Sequence, residues 1–388
     1  MRRTVSGLAV LGAAAAMAVA GCSSSGGNGG SGNSGANTTT NTQAPATSTA
    51  PSTSAASGAV NGNGAKVGII LPDTTSSPRW ITADPTALKA DCTKYNLDCD
   101  IQNANGSATK MASIANQMLA GGVKVLMIVD LDQKSGAAIE QKAAKAGVIP
   151  VDYDRLTPGG GAALYVSFDN VKVGEVQGQT LTQCPQVANQ KSVQYVQIDG
   201  APTDNNATLF KQGYESVLSK QAGWKLVGDQ TGQWDGPTAG RVFNSMLGKN
   251  PNLKAVMVAN DTMADAVITD LKRQHLNGKV AVSGQDASAI GLQHIMDGDQ
   301  CFTIYKPSSA EADPAIKAIA QLANGQAPDT NGVTIEDPMT HKKVPAILAT
   351  PIAVTIKNVA QPINDQYTPK KSVCTGHYVA LCTKDGVK

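Results

Sequence analysis

Histidine is scarce in this 388-residue sequence, and the motifs that organise common catalytic chemistry are missing. His275, His294, His341 and His377 are scattered, none beside a cluster of strand-end polar residues, and solvated surface or helix positions account for them. There is no GxSxG, HExxH or P-loop, and the GNG at 62–64 precedes a strand where a dinucleotide loop would follow one. No CxxC accompanies the cysteines, which argues against a metal site, and no cofactor is expected. An excess of either charge is also missing. Without Arg2 and Arg3, which fall in the leader, 30 basic residues face 30 acidic ones, so neither nucleic acid nor an anionic surface is an evident partner.

The apolar run Leu8–Ala20 behind Arg2 and Arg3 is too short to span a bilayer and stay there; it reads as a signal peptide over residues 1–21. It ends in Val19, Ala20, Gly21 and Cys22, the small-residue pattern of a lipoprotein signal. Cleavage would leave Cys22 as a lipidated N-terminus, placing the protein outside the cytoplasm and anchoring it to the outer face of the cell membrane. From there to Gly64 the chain is almost wholly Ser, Gly, Asn, Thr, Ala and Pro, without charge, and cannot bury enough surface to offset its ordering entropy. Residues 22–64 read as a tether, suited to docking the folded part onto a membrane partner.

Six cysteines remain, an even number in an oxidising location: Cys92, Cys99, Cys184, Cys301, Cys374 and Cys382. Fifteen connectivities are open to them. Cys92 with Cys99 and Cys374 with Cys382 are close enough for local clips, which leaves Cys184 for Cys301.

Beyond residue 65, short β-branched runs alternate with amphipathic segments. KVGIIL (66–71), CDIQN (99–103), KVLMIVD (124–130) and VIPVDYD (148–154) are expected strands, with helices in the gaps at 85–95, 110–119 and 136–146. After a helix at 171–181 the beat restarts with SVQYVQID (192–199), KLVGDQ (225–230), KAVMVAND (254–261) and KVAVSGQD (279–286). Nearly continuous apolar strands alternating with helices predict parallel sheets covered on both faces: two doubly wound α/β lobes, residues 65–170 and 171–310. A helix at 310–323 and strands within 344–355 belong to a segment, 311–388, expected to cross back between the lobes through a multi-crossover hinge.

In open parallel sheets ligands sit beyond the carboxyl ends of the strands. There the sequence places Asp73, Asn103, Asn105, Asp130, Asp132, Asp154, Arg155, Asp204, Asn205, Asn260, Asp261, Gln285, Asp286 and Lys306. Polar loops are ordinary, but this mixture is particular. A sugar hydroxyl both donates and accepts, so its site needs carboxylate and amide acceptors interleaved with Arg, Lys and Asn donors. The apolar face of a pyranose wants an aromatic wall, and aromatics are only 4% of the chain. Trp80 and Trp234 nevertheless fall in loops after strands, whereas Trp224 opens a strand and reads as core.

From Lys66 to about Asn358 the sequence resembles the D-xylose-binding proteins of ABC importers, within the ribose- and galactose-type periplasmic binding fold. The matching phrases are NANG (103–106), YDR (153–155), SFDNVKVGE (167–175), TDNNATLF (203–210), VGDQ (227–230), GKVAVSGQDA (278–287) and TIYKP (303–307). The resemblance implies that Arg79, Asp154, Arg155, Asn205, Asn260, Asp286 and Lys306 hydrogen-bond a sugar and that Trp80 and Trp234 stack on it. It makes Asp261 and Gln285 supporting residues. It further implies a monomeric binding protein with no catalytic residues, whose partners are a monosaccharide and an ABC permease. TTSSP before Arg79 departs from the family's charged residues, and Trp234 aligns only across a small gap.

Other readings stay open at this stage. The ligand could be ribose, another pentose or a polyol, since one displaced hydroxyl partner can switch preference. The closed lobes could signal to a receptor and feed no transporter. VLMIVDLDQK (125–134) is similar in part to the nucleophile strand of haloacid-dehalogenase phosphatases, but Lys134 stands where Thr or Val is needed and the strand is third, not first.

Overall fold

The computed structural model describes residues 60–388. The signal peptide, Cys22 and all but the end of the tether lie outside the described residues.

The first lobe is laid down in the order β1 (Ala65–Leu71), α1 (Ala83–Lys94), β2 (Leu97–Asn103), α2 (Ala108–Ala120), β3 (Val125–Ile128), α3 (Gln133–Lys145), β4 (Ile149–Tyr153) and β5 (Leu164–Phe168). The second follows as α4 (Asn170–Thr182), β6 (Val193–Asp199), α5 (Asn205–Leu218), β7 (Trp224–Thr231), α6 (Gly236–Lys249), β8 (Ala255–Val258), α7 (Asp261–Arg273), β9 (Ala281–Val282), α8 (Ala289–Asp297) and β10 (Thr303–Tyr305). The chain then returns through α9 (Ser309–Ala323), β11 (Thr334–Glu336) and β12 (Lys343–Ala349). It ends with β13 (Ile352–Val354) and the short helices α10 (Gln361–Asn364), α11 (Lys370–Val373) and α12 (Tyr378–Lys384).

Seven strands form one sheet in the order β11-β12-β5-β4-β3-β1-β2, parallel except at β11. Four parallel strands form the second, β7-β6-β8-β9, and β10 pairs antiparallel with β13 beside them. Both main sheets are doubly wound. One face of the first sheet packs Val67, Ile69, Val125 and Val151 against Leu88 of α1 and Ile316 and Ile319 of α9; the other packs Ile70, Leu126 and Ile128 against Met111, Ile114 and Ile139 of α2 and α3. The second sheet is covered by Phe243 and Val267 of α6 and α7 on one side and by Phe210 and Tyr214 of α5 on the other. Apolar strands buried on both faces are the cause of this layering.

The backbone passes between the lobes at Asp169, again between β10 and α9, and a third time between β12 and β13. β12 extends the first sheet through β5, while β13 joins β10 of the second lobe. The terminal helices also belong to the second lobe: Ile363, Val373 and Cys382 bury against Leu292 and Ile295 of α8. The disulfides are Cys92–Cys99, Cys184–Cys301 and Cys374–Cys382.

Between strand ends and helix starts the same device recurs. Asp132 accepts from the Ser135 amide, Asp169 from Lys172, Asp204 from Asn206, Asn260 from Met263 and Ser288 from Gly291, each opening a helix. Much of the polarity at the strand ends is therefore capping. Asp132 is one such case, with both carboxylate oxygens on Ser135.

Candidate functional site

A cavity opens between the carboxyl ends of the two sheets. Of the nine ligand residues expected from the sequence, Arg79, Trp80, Asp154, Arg155, Trp234, Asn260, Asp286 and Lys306 line it. Asn205 does not. Its neighbours Asp204 and Asn206 take that wall, because Asp204 caps α5 and the first turn carries Asn206 inward. Ser76, Ser77 and Phe210 also line the cavity and were not anticipated. Phe210 was within reach of a helical reading, since it lies four residues beyond Asn206 on the same face of α5. The two serines carry no comparable signal.

Asp154 is the centre of the charge network. It directly follows β4 with φ at +61°, in the left-handed region that non-glycine residues adopt at a cost and that functional sites hold by surrounding bonds. Those bonds are present: Ser167 Oγ and Asn206 Nδ2 donate to its carbonyl at 2.6 and 2.9 Å. Its carboxylate meets Arg79 Nη1 at 2.7 Å, Asn206 Nδ2 at 3.2 Å and Lys306 Nζ at 3.4 Å. Burial opposes ionisation here, but Lys306, Arg79 and Arg155 outweigh it and hold the carboxyl below its ordinary range.

Arg79 is committed to the protein. Nε and Nη2 both reach Asp84 at 2.7 Å, Nη2 also reaches Glu311 at 2.5 Å, and Nη1 holds Asp154. Four of the five guanidinium N–H groups are used, which leaves one for a ligand. Burial pushes Glu311 up to about 8 against the pull of Arg79. The guanidinium also lies over the Trp80 ring at 4.5 Å, and Trp80 Nε1 donates to Ser76 Oγ at 3.2 Å.

Across the cleft, Arg155 Nε meets Asp204 Oδ2 at 3.1 Å and its Nη1 donates to the Asp130 carbonyl at 2.9 Å. Burial raises the pKa of Asp130 well above its usual value and the nearby Asp204 adds to it, while Arg155 opposes. Trp234 Nε1 shares Asp204 Oδ2 at 3.1 Å, and its ring meets Phe210 edge-on at 6.4 Å. Two further features seat this indole: Gln233 and Trp234 adopt φ of +60° and +59°, and Gly200 is bare where any β-carbon would overlap the ring. Trp224, by contrast, packs on Tyr195 in the second-lobe core.

Other groups in the wall are uncommitted. Among the described residues the Asp286 carboxylate has no hydrogen bond and only the 3.9 Å approach of Lys306. Lys306 Nζ has one long contact, to Asp154. Ser77 Oγ and Gln285 Oε1 are buried without partners. Asp261 is the reverse: the Ser288 amide, Gln300 Nε2 and Thr303 Oγ1 occupy its carboxylate at 2.8, 2.8 and 3.0 Å, so it braces the turn and does not face the cavity. No group of three or more His, Cys, Asp or Glu side chains suited to a metal ion occurs among the described residues.

Residues 67–327 match the family model described as periplasmic binding protein domain. The chain belongs to this family. Among periplasmic binding proteins it is similar to the D-xylose-binding periplasmic protein of Escherichia coli, 35% identical over 311 residues that cover 79% of this chain and 91% of the relative. A second relative, the D-xylose-binding periplasmic protein of Haemophilus influenzae, is 34% identical over 70% of this chain and 82% of its own length. In structure it resembles a carbohydrate transporter solute binding protein from Chloroflexus aurantiacus in complex with D-glucose. That comparison gives a TM-score of 0.71 and 28% identity over 79% of this chain and 97% of that one. The family match displaces the phosphatase alternative, and Asp132 is a helix cap.

Proposed function

We propose that this protein is the extracytoplasmic receptor of an ABC sugar importer and that it binds one monosaccharide, D-xylose, by closing two lobes around it. The observation that carries the reading is the cavity wall itself. It combines free donors on Lys306 and Arg79 with free acceptors on Asp286, Gln285 and Ser77, drawn from both lobes and flanked by Trp80 and Trp234. That is the inventory a polyhydroxylated ring requires, since each hydroxyl must find both a donor and an acceptor once it leaves water.

Two relatives named for D-xylose at 35% and 34% identity favour a pentose. The D-glucose complex of the structural neighbour makes a hexose the second reading. Lipidation at Cys22 and the tether to Gly64 would hold such a receptor at the membrane beside its permease, and the protein would act as a monomer without catalysis. Titration calorimetry of the purified protein with xylose, ribose, glucose and galactose tests the proposal. Tightest binding of xylose is expected; preference for a hexose would replace the sugar, and no response to any of them would overturn the reading.

A further inference from the structure

A second chamber adjoins the cavity. It shares the walls formed by Arg79 and Asp286. Pro78 and Thr82 of the first lobe, Ala289 and Ile290 of the second, and Tyr367 and Pro369 of the terminal segment complete it. The terminal segment lies beyond the 67–327 match to the family.

Three observations mark this chamber as built space. Tyr367 is 9% exposed, packs edge-on against Tyr305 at 5.0 Å, and carries a buried hydroxyl with no partner. Burial raises its pKa well above the ordinary value, and the charges that act on it most are Arg79 and Asp286, the two shared walls. An unpaired buried hydroxyl is costly to maintain unless something else uses it. Next, Asp286 and Ala287 stand consecutively at φ of +94° and +46° on the partition between the two spaces. Finally, the terminal segment holds that partition in place, since buried Thr368 Oγ1 donates to the Ala287 carbonyl at 2.7 Å. Elsewhere the lining is mostly apolar.

From this geometry we infer that the chamber receives a substituent carried by the bound sugar, so that the ligand class extends to glycosides with a small, largely apolar aglycone containing one hydrogen-bond acceptor. The inference rests on the sugar-site reading above. A ring held by Asp286 and Lys306 would direct its anomeric oxygen past Asp286. The aglycone would then bury against Pro78, Ala289, Ile290 and Pro369, and its acceptor would take the Tyr367 hydroxyl. Free sugar would leave the chamber to water.

Calorimetry with D-xylose and with both anomers of p-nitrophenyl D-xyloside tests this. The wild-type protein is expected to bind one anomer within about tenfold of xylose. Ile290→Trp, at the partly exposed rim, should fill the chamber and weaken the glycoside by tenfold or more while leaving xylose unchanged. Tyr367→Phe should weaken the glycoside by about 3- to 10-fold, the range of a single hydrogen bond, again without effect on xylose. Binding of xylose with exclusion of both glycosides would overturn the inference and leave the sugar site standing. Equal loss of xylose and glycoside in Ile290→Trp would overturn it too. If no sugar bound at all, free or substituted, both readings would fall.

Discussion

Asn260 Nδ2 donates to the backbone carbonyl of Ser76 at 2.9 Å, tying the start of α7 in the second lobe to the loop after β1 in the first. The same side chain accepts from the Met263 amide at 3.0 Å through its oxygen, so one residue both caps a helix and latches the cleft. With Arg155 on Asp204 and Asn206 on Asp154, these contacts join residues of the two lobes, as the closure proposed above would require. Small-angle scattering should therefore show a smaller radius of gyration with saturating sugar than without it; an unchanged radius would argue against closure. Asn260→Asp keeps the capping oxygen and loses the donor. It should preserve thermal stability within about 1 kcal/mol while weakening sugar binding by roughly 3- to 10-fold.

Asp286 and Lys306 supply the next prediction. The carboxylate is buried, has no hydrogen bond among the described residues, and faces the ammonium at 3.9 Å, so a ligand hydroxyl between them would meet a charged acceptor and a charged donor. Asp286→Asn suits the left-handed backbone at +94° better than alanine would, because asparagine tolerates positive φ. It should fold normally and lose roughly 10- to 100-fold in affinity, as expected for a charge-assisted hydrogen bond of about 1.5–3 kcal/mol. Wild-type affinity in this variant would move the site elsewhere.

How far the sequence discloses such a site depends on which physical signal each residue carries. Asp154, Arg155, Asn260 and Asp286 are legible because a parallel strand must end before them and the ligand crevice lies there. Asn205 and Asn206 are adjacent and chemically identical, so the one facing the cavity is set by where α5 starts, and that start is fixed by the Asp204 cap in three dimensions. Strand β5 follows the Pro- and Gly-rich PGGGAA loop, and that it joins the first sheet just before the first crossing is set by its pairing with β4 and β12 and not by any local signal. The terminal segment, with Tyr367 beside Arg79, is short helices and loops without periodicity, and its position follows only from burial against α8.

Cys184–Cys301 closes a loop of 117 residues and lies wholly within the second lobe, joining the segment just after α4 to the one just before β10. Neither cysteine lines the cavity. The double variant Cys184→Ser/Cys301→Ser should lose about 3–5 kcal/mol in a denaturant titration while any folded fraction binds sugar normally. The two local clips close only 7 and 8 residues, and removal of either should cost less. Free thiols in the mature protein, found by peptide mapping, would contradict the pairing.

Stability should also rise as the solution is made mildly acidic. Burial pushes Asp261 up to about 7, despite the bonds it accepts from Gln300 and Ser288, and pushes Asp152 up to about 6. Burial also raises Glu140 well above its usual value, and Asp152 beside it adds to the effect; both carboxylates are fully buried, with no cation between them. In the unfolded chain all three release their protons near pH 4. Between that point and the folded values the native state holds more protons than the unfolded one, so this stabilisation is complete below about pH 4 and is lost as pH rises through 6 and 7. The slope is about 1.4 kcal/mol per pH unit for each proton by which the states differ. Asp154 works in the opposite sense, but its window lies below its ordinary range, where the first three are already protonated in both states. The melting temperature of the sugar-free protein should therefore increase from pH 8 to pH 5. Glu140→Gln removes one titrating group where a neutral side chain is already favoured, so it should flatten the slope and raise the melting temperature at pH 8. A profile that rises toward alkaline pH, or a Glu140→Gln variant less stable at pH 8, would show that these carboxylates fold in their charged forms.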